Sequence, residues 1–159
     1  MDRGVNINRK RDRDLVDYLN DHFYCKLGIS KVHGIGVFAL RDIPAGIDPF
    51  VLPKKDRLVT VYKASLKNLD ENIKEWLAEK FTNDDNVQTI LLTDTLQKQF
   101  KYYFNHNEKP NLEWNTPKHR HPCMPPCPKC GGQNFITLQD IKKDEEIFVN
   151  YAVDANIYN

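Results

Sequence analysis

Two stretches of this chain carry side chains suited to chemistry at close quarters. The first is Asn105-His106-Asn107-Glu108-Lys109-Pro110-Asn111, which follows the aromatic run Tyr102-Tyr103-Phe104 and mixes amides, an imidazole and a proline. Short polar side chains compete with the backbone for hydrogen bonds and favour a turn. Pro110 fixes its own φ and pushes Lys109 towards extended geometry, so no helix runs through. Taken alone, the stretch reads as a surface turn closing a short aromatic helix. The second is His121-Pro122-Cys123-Met124-Pro125-Pro126-Cys127-Pro128-Lys129-Cys130-Gly131-Gly132, which contains Cys-x-x-Cys-Gly, the form of a zinc knuckle. Zinc wants four nitrogen or sulfur ligands. Cys123, Cys127 and Cys130 supply three; His121 or His119 is the fourth, with Cys25 a distant option. The spacing is too compressed for two independent knuckles, and the alternative is a Pro-stiffened loop with free thiols.

Hydrophobic periodicity indicates which elements must position these residues. Leu15, Leu19 and Phe23, with Val16 beside them, predict a short amphipathic helix after a polar tail that includes Arg9-Lys10-Arg11. Leu27–Val32 reads as a strand, interrupted by His33-Gly34-Ile35-Gly36, where glycines permit positive φ or close backbone approach. Val37–Leu40 resumes it, and Arg41–Gly46 is a turn. Phe50–Leu52 and Val59–Tyr62 are further short strands. Ser65 is placed to cap a helix reaching Lys80, with Leu66, Leu69, Ile73, Leu77 and Phe81 on its buried face. Thr89–Leu92 reads as a strand, and Asp94 or Thr95 caps a helix that delivers the Asn105 turn. Leu112–Trp114, Phe135–Leu138 and Ile147–Tyr151 are the remaining strands. One internal echo stands out: Phe38-Ala39-Leu40-Arg41-Asp42-Ile43-Pro44-Ala45-Gly46 and Ile136-Thr137-Leu138-Gln139-Asp140-Ile141-Lys142-Lys143-Asp144 share the pattern strand, Asp-Ile, tight turn. They lie too far apart for a solenoid and look like two copies of one hairpin in an all-β framework.

Composition narrows the class. The chain has 159 residues, 40% hydrophobic and 28% charged, which is globular and enough for one domain with a core. A formal net charge of +1 supplies no field for nucleic acid or an anionic membrane. No apolar run approaches the ~18 residues of a spanning helix. The first residues lack the apolar centre of a signal peptide, so an intracellular protein is expected, with the nucleus and the cytoplasm both open. In a reducing compartment the four cysteines read as thiols or metal ligands.

Three pieces in order carry a resemblance. His33-Gly34-Ile35-Gly36-Val37-Phe38-Ala39 opens a strand, Asn105-His106-x-x-x-Pro110-Asn111 forms a turn, and Glu145-Glu146-Ile147-x-x-Asn150-Tyr151 ends a strand. From Leu27 to Tyr151 the chain resembles the SET-domain protein-lysine N-methyltransferases, in particular short stand-alone viral or bacterial ones. The resemblance implies a mainly β, β-clip-like SET fold of short curved sheets with a helical insert. Residues 1–24 would form a tail and helix and 25–159 one SET domain, with an insert at about 54–100 and the Cys-rich loop at 119–132. It implies S-adenosylmethionine (AdoMet) as cofactor, bound by the backbone of His33, Gly34, Ile35 and Gly36 together with Asn105 and His106. Tyr151 matches the family's catalytic tyrosine, and Tyr103, Val149 and Tyr151 would line the channel for a lysine of a protein substrate.

Some residues depart from the family pattern. Glu108 stands where many members have Cys, and no Cys follows Tyr151, so the zinc site built there in those members is not expected. Val149 replaces an aromatic residue and leaves more room for a methylated amine. The Glu-Tyr-x-Gly-Glu stretch of many histone-directed members is missing after Gly46, which argues against a histone substrate. Glu145 and Glu146 read as solvated turn residues. Two other functions compete: a SET-like module that binds a peptide without catalysis, and a small zinc-bearing nucleic-acid binder, against which the near-neutral charge weighs.

Overall fold

The computed structural model describes residues 10–50, 57–80, 87–92, 100–114 and 135–154. The described elements fall into two compact units. The first holds α1 (Lys10–His22), β3 (Arg57–Tyr62), a 3-10 turn (Lys63–Leu66), α2 (Glu71–Lys80) and β4 (Val87–Leu92). α1 buries Leu15, Val16 and Leu19 on one stripe, as the spacing requires. Phe23, just past its end, lies 4.9 Å from the Trp76 ring of α2. β3 and β4 pair antiparallel from Arg57↔Leu92 to Tyr62↔Val87.

The predicted helix from Ser65 is shorter than expected. Residues from Ser65 on make only the end of the 3-10 turn, and α2 begins at Glu71. The cap is Asp70, whose carboxylate accepts from Asn72 N at 2.9 Å, while Asp70 N donates to the Asn20 side chain at 2.8 Å. Asn20 also donates to Asn68 O. An acidic Asx cap tied to α1 therefore sets the helix start. Leu66, Leu69, Ile73 and Leu77 are buried as expected; Phe81 lies outside the described residues, as does the helix expected from Asp94. Phe50 stands in a turn and not in a strand, and Val51 and Leu52 are outside the described residues.

The second unit holds the motifs. β1 (Cys25–Ile29) and β2 (Ile35–Ala39) form an antiparallel hairpin, β8 (Glu146–Val149) pairs antiparallel with β2, and β5 (Asn105–His106) pairs parallel with β8. The sheet order is β1-β2-β8-β5. β6 (Leu112–Trp114) and β7 (Phe135–Thr137) make a separate antiparallel pair. With the helices α1 and α2, this is the mainly β architecture with helical elements that the sequence implied. Phe50 sits among Phe100, Phe104 and Phe135, with ring centroids 5.3–5.8 Å away in tilted or edge-on contacts. Val37, Ile43, Leu112, Ile141 and Ile147, at 0–1% exposure, complete the core of this unit.

The two echoed segments pair with each other, reciprocally. Ile43 and Ile141 exchange both backbone hydrogen bonds, at 2.8 and 2.9 Å. Ala39 takes part through its N–H to Glu145 O and its C=O from Asp144 N; Thr137 does the same with Ile47 O and Gly46 N. The Asp42 carboxylate accepts from Lys143 N, and the Asp140 carboxylate accepts from Ala45 N, both at 2.9 Å. The Lys143 N–H and, next, the Lys142 ammonium hold the Asp42 carboxyl below its ordinary pKa. Gly46 and its counterpart Asp144 both adopt positive φ, 81° and 66°. Each Asp-Ile turn is thus closed by the other, and the pair delivers β2 and β8 side by side.

Candidate functional site

β5 is two residues long, and its position depends on side chains as much as on the ladder. Its parallel partners are Phe148 and Val149 of β8, extended by a hydrogen bond from Asn107 N to Val149 O at 3.0 Å. Asn111, buried at 8% exposure, reaches the same strand: its Nδ2 donates to Glu146 O at 2.9 Å and its Oδ1 accepts from Phe148 N at 2.8 Å. A side-chain amide here completes a strand edge whose groups would otherwise be buried and unpaired. Asn107 closes the turn instead, accepting from Lys109 N at 2.8 Å, as the competition between side chain and backbone predicts.

Asn105 lies at the centre, at 6% exposure. Its Nδ2 is 2.8 Å from Glu146 Oε1, 3.1 Å from His33 O and 3.4 Å from Ile35 O. Ser30 Oγ donates to Glu146 Oε2 at 2.9 Å and accepts from Val32 N and His33 N. The hairpin loop is closed by Ser30 N donating to Gly34 O, with Gly34 at φ 53°. Gly36 faces the other way: a Cβ there would stand 2.2 Å from Glu146 Oε1 and 3.2 Å from Asn105 Nδ2. Its missing side chain is the space that the carboxylate fills. Among the described residues, its chain neighbours aside, nothing lies within 4 Å of where a Gly34 Cβ would be.

Tyr151 does not end a strand. β8 stops at Val149, the Asn150 side chain accepts from Ala152 N at 3.0 Å, and Tyr151 opens the short helix α3 (Tyr151–Asp154). An Asx cap turns the chain here. The turn brings the Tyr151 hydroxyl to Phe104 O, to which it donates at 2.5 Å. Tyr151 N donates to His106 Nδ1 at 3.2 Å, and the two rings lie 5.2 Å apart. That bond requires the neutral ring to carry its proton on Nε2. The structure therefore brings together His33, Gly34, Ile35, Gly36, Asn105, His106 and Tyr151 around β5 and the β1–β2 loop. Val149 is buried at 3% exposure beside His106 in the ladder, while Tyr103, in a 3-10 turn (Lys101–Tyr103), is 36% exposed.

Glu146 was not expected in this site. The reading of it as a solvated turn residue fails because β8 begins there, and its register opposite Phe38 sends the side chain across to Gly36 and Asn105. Gly36 was the one available signal, since a glycine in a strand marks a close approach. Cys123, Cys127, Cys130 and His121, like His119, lie outside the described residues. Among the described residues no group of three His, Cys, Asp or Glu side chains is placed to hold a metal. Cys25 is packed in the core, where burial, with the charge of Asp48 adding to it, pushes its thiol pKa up. Among the described residues, no helix is long and apolar enough to cross a membrane.

The family model of the SET domain matches residues 34–152, a span that takes in Gly34, Gly36, β5, β8 and Tyr151. The chain belongs to the SET-domain family. A Plasmodium falciparum crystal structure described as that of a "putative histone methyltransferase" matches 82% of this chain and 94% of its own, at 19% identity and a TM-score of 0.36. No curated protein matches.

Proposed function

We propose that this SET domain transfers a methyl group from AdoMet to the side-chain amine of a lysine in a protein substrate. The observation that carries the proposal is the hydrogen bond from the Tyr151 hydroxyl to Phe104 O. Phe104 directly precedes Asn105, so the tyrosine matched to catalysis and the amide matched to cofactor binding meet at the start of the two-residue strand β5. The donor set around them suits a cation. The carbonyls of His33, Ile35 and Phe104 and the Glu146 carboxylate cluster here, each already accepting from Asn105 or Tyr151, so their field favours positive charge nearby, and among the described residues the open side of Gly34 leaves room for a ligand to approach.

When bound, AdoMet supplies an electrophilic methyl group carried by a sulfonium. His33, Gly34, Ile35 and Gly36 would hold it through backbone groups, with Asn105 and His106. The Tyr151 hydroxyl has committed its proton to Phe104 O, so towards a substrate it acts as an acceptor. A neutral lysine amine giving one N–H to that oxygen has its lone pair aimed by the tyrosine, which is catalysis by orientation. Free lysine has a pKa near ~10.4 and is protonated at neutral pH. An apolar lining from Val149 and the Tyr103 and Tyr151 rings would favour the uncharged amine by desolvation.

Ligand binding tests this reading. AdoMet and S-adenosylhomocysteine should each raise the melting temperature by mass action, about 2.7 kcal/mol of stabilisation at a hundredfold excess over Kd. Asn105→Ala should weaken the effect more than Asn107→Ala, whose side chain serves only the turn. Saturating ligand with no shift would remove the cofactor from the proposal.

A further inference from the structure

We infer that Glu146 is a positioning residue that fixes which atom of the Asn105 amide is offered to a ligand. An Asn amide is nearly symmetric in shape, and its oxygen and nitrogen exchange places by a half-turn. The surroundings decide which way it stands. Here Nδ2 meets Glu146 Oε1 at 2.8 Å, His33 O at 3.1 Å and Ile35 O at 3.4 Å. A carboxylate and two carbonyls can only accept. Turning the amide over would set Oδ1 against three oxygens, one of them charged, so the nitrogen is held on that side. Oδ1 has no hydrogen-bond partner among the described residues, yet no buried side-chain oxygen or nitrogen among them lacks one. Oδ1 is therefore an acceptor left accessible to a ligand.

Glu146 is the strongest part of this lock, because hydrogen bonds to an ionised group exceed those to carbonyls. It is itself fixed. Ser30 Oγ donates to Oε2 at 2.9 Å and is anchored by Val32 N at 2.9 Å and His33 N at 3.3 Å. Gly36 leaves the carboxylate its space, since any Cβ there would stand 2.2 Å from Oε1. The loop that offers the carbonyls also holds the carboxylate, and both hold Asn105. An acceptor so presented selects a ligand with an N–H donor. On the methyl-transfer reading, on which this step rests, that donor is the amino group of the S-adenosyl ligand.

Two readouts test the lock, one of them without any ligand. In the free protein, the two side-chain amide protons of Asn105 should exchange slowly with solvent by nuclear magnetic resonance. Glu146→Ala should abolish that protection, and Glu146→Gln, which can still turn an oxygen to Nδ2, should keep part of it. Protection equal in all three proteins overturns the inference whatever the ligand does. The second readout is a double-mutant cycle in S-adenosylhomocysteine affinity, measured by calorimetry. Glu146→Ala should weaken binding about tenfold or more, as expected for loss of a hydrogen bond to a charged group. Glu146→Gln should recover part of the loss. In the Asn105→Ala background the same Glu146→Ala change should move Kd by less than about threefold, because a residue acting through Asn105 has nothing left to act on. Equal losses in both backgrounds overturn the inference. If the ligand fails to bind the parent protein while Asn105 protection depends on Glu146, the lock stands and the methyl-transfer reading falls.

Discussion

Replacing Tyr151 by Phe removes one hydroxyl and keeps the ring that lies 5.2 Å from His106. The interaction lost within the protein is the 2.5 Å hydrogen bond to Phe104 O. Tyr151 is 51% exposed, so water can take up the freed carbonyl. The stability cost should be that of one neutral hydrogen bond, about 0.5–1.5 kcal/mol, or roughly 1–6 °C in melting temperature for a chain of this size. Turnover should fall much further. A preorganised polar group at a reacting centre is worth about two to three orders of magnitude, equivalent to roughly 3–4 kcal/mol of barrier. Cofactor affinity should barely change, because Asn105 and the hairpin carbonyls make no contact through this hydroxyl. Thermal melting, calorimetric titration with AdoMet and initial rates of methyl transfer separate the three quantities. Parent-rate turnover in the Phe variant would refute the catalytic role. A loss of turnover matched by an equal loss of cofactor affinity would show that the hydroxyl shapes the binding site and not the reaction.

Other residues make predictions of their own. Gly36→Ala places a methyl 2.2 Å from Glu146 Oε1, so the carboxylate must leave Asn105 and Ser30; a loss of about 1–3 kcal/mol in stability is expected by chemical denaturation, with at least tenfold weaker AdoMet binding. Asn111→Ala leaves Phe148 N and Glu146 O without partners in a buried place, and should cost about 2–4 kcal/mol by the same measurement; Asn111→Asp should not rescue it, because an oxygen would then face Glu146 O. For the cysteine loop, elemental analysis should give about one zinc per chain if four ligands close the site. Cys127→Ser should then lower the zinc content and leave AdoMet binding intact, and metal-free protein with full activity would dismiss the metal.

Much of both units is legible in the sequence, for identifiable reasons. The amphipathic stripe of Leu15, Val16 and Leu19 is a period signal and survives in the fold. The Phe38–Gly46 and Ile136–Asp144 echo pointed to two copies of one hairpin; what no local pattern could supply is that the copies bond to each other, Ile43 to Ile141. Asn105, His106 and Tyr151 are singled out in the sequence by motif order and not by any property of one residue. Two of the misses are local choices settled by long-range partners, and one by a neighbour. Asp70 took the cap from Ser65 because Asn20, far away in sequence, anchors its backbone. Tyr151 left the strand because Asn150 caps the turn after it, a signal present in the sequence but outweighed there by the apolar run before it. A glutamate near a turn is ordinarily solvated; the packing of Glu146 against Asn105 depends on the absence of a side chain at Gly36, which lies on the neighbouring strand two residues from the register partner Phe38.

Methyl transfer itself is the most direct test of the proposed function. The purified protein, incubated with radiolabelled AdoMet and a cell lysate, should label a protein acceptor, and mass spectrometry should place the methyl on a lysine side-chain nitrogen. The Tyr151→Phe protein in the same experiment should give little or no label. An AdoMet-binding protein that labels no acceptor, or one that labels a residue other than lysine, would contradict the assignment of this site to lysine methylation.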